Sequence, residues 1–225
     1  VAHLAHAIAL HVPDVQRRIP EATLVVQLDE PSLPAVLNGG IPTQSGWAKY
    51  SAVDAQFVAE LLGQVVQSGV TQSQSDDGVS QNVLVHCCAP DVPFTVLRSA
   101  GVQNIALDCS LVGATSARAD LVEAIGQAVD GQSTIVLGLS AHSELQLDSA
   151  NKVESGMGPR DVAVVNGAVN SLLRLADEIG ISPREFMNSV LISPPCGFGS
   201  ATMSQARETV SFLRNVGQAF SEVSS

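Results

Sequence analysis

The residues best suited to chemistry sit where apolar runs end. His86-x-Cys88 closes the run Asn82 to Cys87 (NVLVHC), and on a strand an i, i+2 spacing puts both side chains on one face. Imidazole nitrogen and thiolate are both zinc ligands, yet no C-x-x-C hook of a structural clip accompanies them. The other candidate ligands, Asp108 and Cys196, follow two further apolar runs. A metal site gathered from separate strand ends is the pattern of a catalytic ion. Buried, inert His and Cys side chains would show the same spacing.

Asp29-Glu30-Pro31 follows the run TLVVQL. Its carboxylates either bind an ammonium group and work as acid and base, or one of them caps a short helix with Pro31 at its first position. His142, in Ser140-Ala141-His142-Ser143, is either a proton carrier near neutral pH or a solvated loop histidine. The glycines of Cys196-Gly197-Phe198-Gly199-Ser200 belong to no G-x-G-x-x-G and precede no lysine, which excludes a nucleotide site. His3, His6 and His11 form no usable pattern.

The elements that would position these groups alternate along the chain. Five apolar, β-branched runs read as buried strands: 23–28, 82–87, 104–109, 134–139 and 189–193. Between and after them, residues 52–67, 162–176 and 203–220 carry apolar side chains at i, i+3, i+4 and read as helices. Ser51 with Asp54 resembles a capping box for the first of these. Residues 69–80, rich in Gly, Ser and Asp, read as a loop. The opening segment lacks the basic region of a signal peptide; it reads as a helix that Pro13 or Pro20 ends. Chemistry at several successive strand ends favours a (β/α)8 barrel over an open doubly wound sheet. Five consecutive units are three short of closing it, so another segment or a second copy is expected to supply the missing strands.

Composition narrows the partners. The 225 residues are 45% hydrophobic and 15% charged, which excludes intrinsic disorder. Aromatics are only 4%, so aliphatic side chains must fill the core. Eleven basic against 22 acidic residues give a net charge of −11, unfavourable for nucleic acid or anionic lipid. No apolar run is long enough to cross a bilayer. The four cysteines, at 87, 88, 109 and 196, read as reduced thiols of a cytoplasmic protein.

Together the motifs resemble a known family. Gln27-Leu28-Asp29-Glu30-Pro31, Val85-His86-Cys87-Cys88, Ile105-Ala106-Leu107-Asp108-Cys109-Ser110 and Ser193-Pro194-Pro195-Cys196-Gly197 are similar, in order, to the catalytic barrel of cobalamin-independent methionine synthase. Val153-Glu154-Ser155 resembles a further short element of that family. The resemblance implies a single domain over residues 1–225, the C-terminal part of a zinc-binding TIM barrel. It implies a homocysteine methyltransferase with zinc on His86, Cys88, Asp108 and Cys196. Asp29 would bind the amino group of homocysteine, and His142 would donate a proton. Asp108 stands where the family has glutamate, one methylene longer, and Ser140-Ala141 replace an acid. The family's folate-binding half has no counterpart here, so the expected methyl donor is a folate or a corrinoid. The alternatives are another thiol substrate, or zinc and thiol binding without turnover.

Overall fold

The computed structural model describes residues 1–69, 82–111, 115–131, 133–141 and 162–224. The strands are β1 (Val26–Asp29), β2 (Val83–Cys87), β3 (Asn104–Asp108), β4 (Ile135–Gly138) and β5 (Val190–Ser193). All five coincide with the apolar runs of the sequence. They form one sheet in the order β1-β2-β3-β4-β5. Each strand therefore neighbours its successor, and the order never reverses. A doubly wound sheet would need such a reversal to create its ligand crevice.

The helices are α1 (Ala2–Arg18), α2 (Leu33–Leu37), α3 (Ala55–Gly69), α4 (Phe94–Ser99), α5 (Thr115–Asp130), α6 (Val162–Ile179), α7 (Pro183–Ser189) and α8 (Met203–Val223). No helix among the described residues is long and apolar enough to cross a membrane.

The chain divides into two compact units. The first holds Val1–Cys87 and Val92–Ile105. Within it β1 and β2 run parallel, from Val26 opposite Val83 to Asp29 opposite His86. Val66, Val83, Val85, Leu97 and Ile105 are fully buried. Helix α1 packs on α3, with Val12 buried. It runs through Pro13 rather than ending there, because burial of this face offsets the one hydrogen bond that proline removes. It stops before Pro20, whose carbonyl accepts from Gln16 Nε2 at 3.2 Å. Helix α3 starts later than its sequence pattern. Asp54 itself caps it, Oδ1 accepting from the Phe57 amide at 2.9 Å, so Ser51 forms no box with it.

The second unit holds Cys88–Asp91 and Ala106–Ser225. Here β4 and β5 run parallel, Ile135 opposite Val190 through Gly138 opposite Ser193. Leu107, Leu121, Ile125, Leu137, Leu175, Phe186 and Phe212 form its buried interior. Capping boxes open α7 (Ser182 with Glu185) and α8 (Thr202 with Gln205).

Two strands depart from the expected burial on both faces. Gln27 and Asp29 on β1 are exposed, as is Leu191 on β5. Both are end strands of the sheet order, so a neighbour covers them on one side only among the described residues. Residues 70–81, most of the expected loop, lie outside the described residues.

Candidate metal centre

Strand β2 presents its two faces very differently. Val83, Val85 and Cys87 are at most 1% exposed, while Leu84, His86 and Cys88 are half-buried. The valine-rich run forces an extended backbone, and its alternation carries His86 and Cys88 to the same, accessible face. Cys196 comes from the opposite end of the sequence. It follows β5 through Pro194-Pro195 and is exposed. None of the four cysteines is in a disulfide.

The Cys88 and Cys196 sulfurs lie 3.8 Å apart. His86 joins them: a ligand atom from each of the three residues lies within 4.8 Å of the other two. The spacing suits zinc. Two sulfurs at about 2.3 Å from a tetrahedral ion are about 3.8 Å from each other. The donors, one nitrogen and two sulfurs, are those zinc takes. The described residues supply three ligands, the number that catalytic zinc sites combine with a substrate atom or water in the fourth position.

Asp108 does not belong to this group. Its Oδ1 accepts from the Ser110 amide at 2.8 Å and from the Ser110 hydroxyl at 2.6 Å. The carboxylate thus closes the turn into the short 3-10 segment Cys109–Leu111. Asp108→Asn retains an acceptor for Ser110. It is expected to keep about one metal ion per chain, with affinity lowered by less than roughly tenfold, the low end for outer partners. Loss of the ion on chelator titration would place Asp108 among the ligands instead.

Asp29 stands at the mouth of the same strand pair. Its register partner is His86, and paired residues of neighbouring strands share a face. Gln27 Nε2 donates to Asp29 Oδ1 at 2.7 Å and so fixes the carboxylate. Glu30, whose amide donates to the His86 carbonyl at 2.8 Å, is held above the usual carboxylate range. Burial is the larger cause, and the Asp29 charge adds to it. Neither acid caps a helix: α2 begins after Ser32, with no side-chain cap and Pro34 in its first turn. The capping alternative fails because the chain bends once more before the helix starts.

The remaining cysteines are unsuited to ligation. Cys87 and Cys109 are fully buried, and burial, then the Asp108 charge, pushes the Cys109 thiol far up. A thiol held protonated is neither nucleophile nor ligand. His142 and Val153-Glu154-Ser155 lie outside the described residues.

Ser110 closes the Ile105–Ser110 motif, and Asp108-x-Ser110 is also an ordinary turn signal. One contributor escaped the sequence motifs. Gly138 was visible only as a lone glycine in an apolar strand, which marks a bulge or a close backbone approach.

Comparison with known proteins bears on the whole chain. No curated protein matches it. The family model "Cobalamin-independent synthase, Catalytic domain" matches residues 2–219, which spans every described strand, helix α8 down to Ala219, and all three members of the His/Cys group. The chain belongs to the cobalamin-independent synthase family, in its catalytic domain.

Proposed function

We propose that the protein is a zinc-dependent methyltransferase that activates the thiol of homocysteine and forms methionine in the cytoplasm. The family is of methyltransferase type, with small-molecule substrates and a methyl donor. The observation that carries the finer reading is the Cys88–Cys196 separation of 3.8 Å, the edge of a zinc tetrahedron, with His86 beside it.

His86, Cys88 and Cys196 would hold the ion, with Asp108 supporting the turn next to them. Zinc bound there supplies Lewis acidity, which lowers the pKa of a thiol that is only a few per cent ionised at neutral pH. Asp29, steadied by Gln27, would pair with the ammonium group and aim the amino acid. In the reaction the thiol gives up its proton, its sulfur bonds to the methyl carbon, and the bond from that carbon to the donor breaks. With a folate donor the leaving nitrogen then takes a proton, a role assigned to His142 by sequence resemblance, whereas a corrinoid keeps the electron pair on its cobalt. The donor is a folate or a corrinoid. The unreversed strand order supports reading the five β/α units as part of a (β/α)8 barrel, completed by a further segment or a second copy.

A second reading keeps the zinc and changes the thiol. It is favoured by the exposure of Asp29, the group proposed to select an amino acid.

Single-turnover methyl transfer by the zinc-loaded chain separates the two. Homocysteine should be methylated, whereas mercaptans lacking the ammonium group should react poorly. Asp29→Asn should raise KM for homocysteine roughly tenfold, the low end for a hydrogen bond to a charged group, and leave zinc content unchanged. Equal rates for homocysteine and simple mercaptans would reject the amino-acid substrate.

A further inference from the structure

We infer that Gly138 is a positioning residue for the metal centre: its missing side chain seats the Pro194-Pro195 segment against the end of β3 and so sets Cys196 beside Cys88. The inference rests on the metal-site reading and extends it to a residue that touches neither ion nor substrate.

The geometry is tight on both sides. A Cβ at position 138 would lie 2.6 Å from Pro195 Cα, 2.7 Å from the Leu107 carbonyl oxygen and 3.3 Å from Asp108 Cα. Every one of these is a backbone atom, so no side-chain rotation relieves the clash. Backbone conformation does not explain the glycine either. Among the described residues the glycines with positive φ are 39, 46, 101 and 180, and 138 is not one of them. Glycine inside a strand is destabilising relative to alanine. Close approach of two backbones is the reason left for it.

The same contact lies directly upstream of the ligand. Gly138 is the register partner of Ser193, and the Leu139 amide donates to the Ser193 carbonyl at 2.8 Å. Pairing ends there, and Pro194 and Pro195 carry the chain across Gly138 to Cys196. With φ fixed at two successive prolines, any displacement at Pro195 passes on to Cys196. Gly197 and Gly199, past the ligand, have no atoms within 4 Å of a built Cβ. The constraint is therefore confined to the stretch before the thiol. Ordinary contact begins at 3.4 Å, so a side chain at 138 needs about 0.8 Å more room from Pro195 and about 0.7 Å more from Leu107, against about 0.2 Å of tolerance at a metal site.

The test compares the full chain with Gly138→Ala in two ways. In metal-free protein, diamide oxidation should join Cys88 to Cys196, mapped by peptide mass. The variant should form this cross-link at least roughly tenfold more slowly. In cobalt-loaded protein, thiolate-to-metal absorption should weaken and affinity should fall roughly 10- to 100-fold, the range for positioning groups around a metal, with far-ultraviolet circular dichroism unchanged. Where Gly138→Ala fails to fold, Pro195→Gly removes the φ restraint without adding an atom, and it should produce the same losses in smaller measure. A folded Gly138→Ala with parental cross-linking and cobalt spectrum overturns the inference. So does a Pro195→Gly indistinguishable from the parent. A parent chain that cross-links readily but takes up no cobalt overturns the metal reading alone, and the cross-linking rates then decide the role of Gly138.

Discussion

Cys88→Ser should leave the purified protein nearly free of zinc, with affinity lowered by more than the roughly 100-fold that losing an outer partner can cause. Serine keeps the size of the side chain but replaces a soft, ionisable sulfur with a hydroxyl that stays protonated. Of the three donors grouped at the end of β2, this removes one of the two sulfurs whose separation matches the ion. Cys196→Ser should behave the same way. Cys109→Ala supplies the contrast: that thiol is buried and held protonated, so its loss should leave metal content intact and register only in stability. Elemental analysis after dialysis, with competition by a chromophoric chelator, reads all three. Full zinc retention in Cys88→Ser would remove the basis of the proposed centre.

Phe186→Ala should destabilise the fold by about 3–5 kcal/mol, the range for truncating a buried aromatic. Phe186 is 1% exposed, and its ring meets that of Phe220 edge-on, with centroids 5.9 Å apart. The substitution therefore loses buried area, leaves a cavity, and breaks an aromatic pair. Its position gives it reach toward the site. Helix α7 hands the chain straight to β5 at Val190, and β5 leads to Cys196. Urea midpoints for Phe186→Ala and the milder Phe186→Leu check the ranking. A loss under about 1 kcal/mol in the alanine variant would contradict the packing described here.

The strands were legible because each is a short β-branched run with nothing else to do but fill an interior. Their sequential order was legible only through the chemistry at successive strand ends, since periodicity carries no information on neighbours. Long amphipathic helices α3, α6 and α8 showed their stripes. The short helices α2, α4 and α7 did not, because five to seven residues barely repeat a helical turn. For α7 a signal existed in Ser182-Pro183-Arg184-Glu185, a capping box with proline at the first position. Pro13 misled because local propensity cannot weigh the burial of Val12 on α3. At the site, the i, i+2 spacing of His86 and Cys88 placed both on one face, and their approach to Cys196 is what the motif order led one to expect. Asp108 carried less: the sequence puts it at a strand end but says nothing of which oxygen meets Ser110. The role of Gly138 depends on atoms 31 and 57 positions away, at Leu107 and Pro195, beyond the reach of any local pattern.

Cys88 and Cys196 are 108 positions apart. The proposed ion, held by both, would act as a clasp on more than a hundred residues of chain, a closure that the chain-entropy treatment of cross-links values at about 4.7 kcal/mol. The order of synthesis then matters. While the ribosome is still making β3 to β5, His86 and Cys88 would offer two donors, too few to retain zinc. Full affinity for the proposed ion would appear only once β5 has emerged and laid Cys196 in place. Loading would then follow the assembly of β5, and metal retention would report that this strand has been placed. Chains cut short before Cys196 would not keep the ion, whatever their earlier strands had formed.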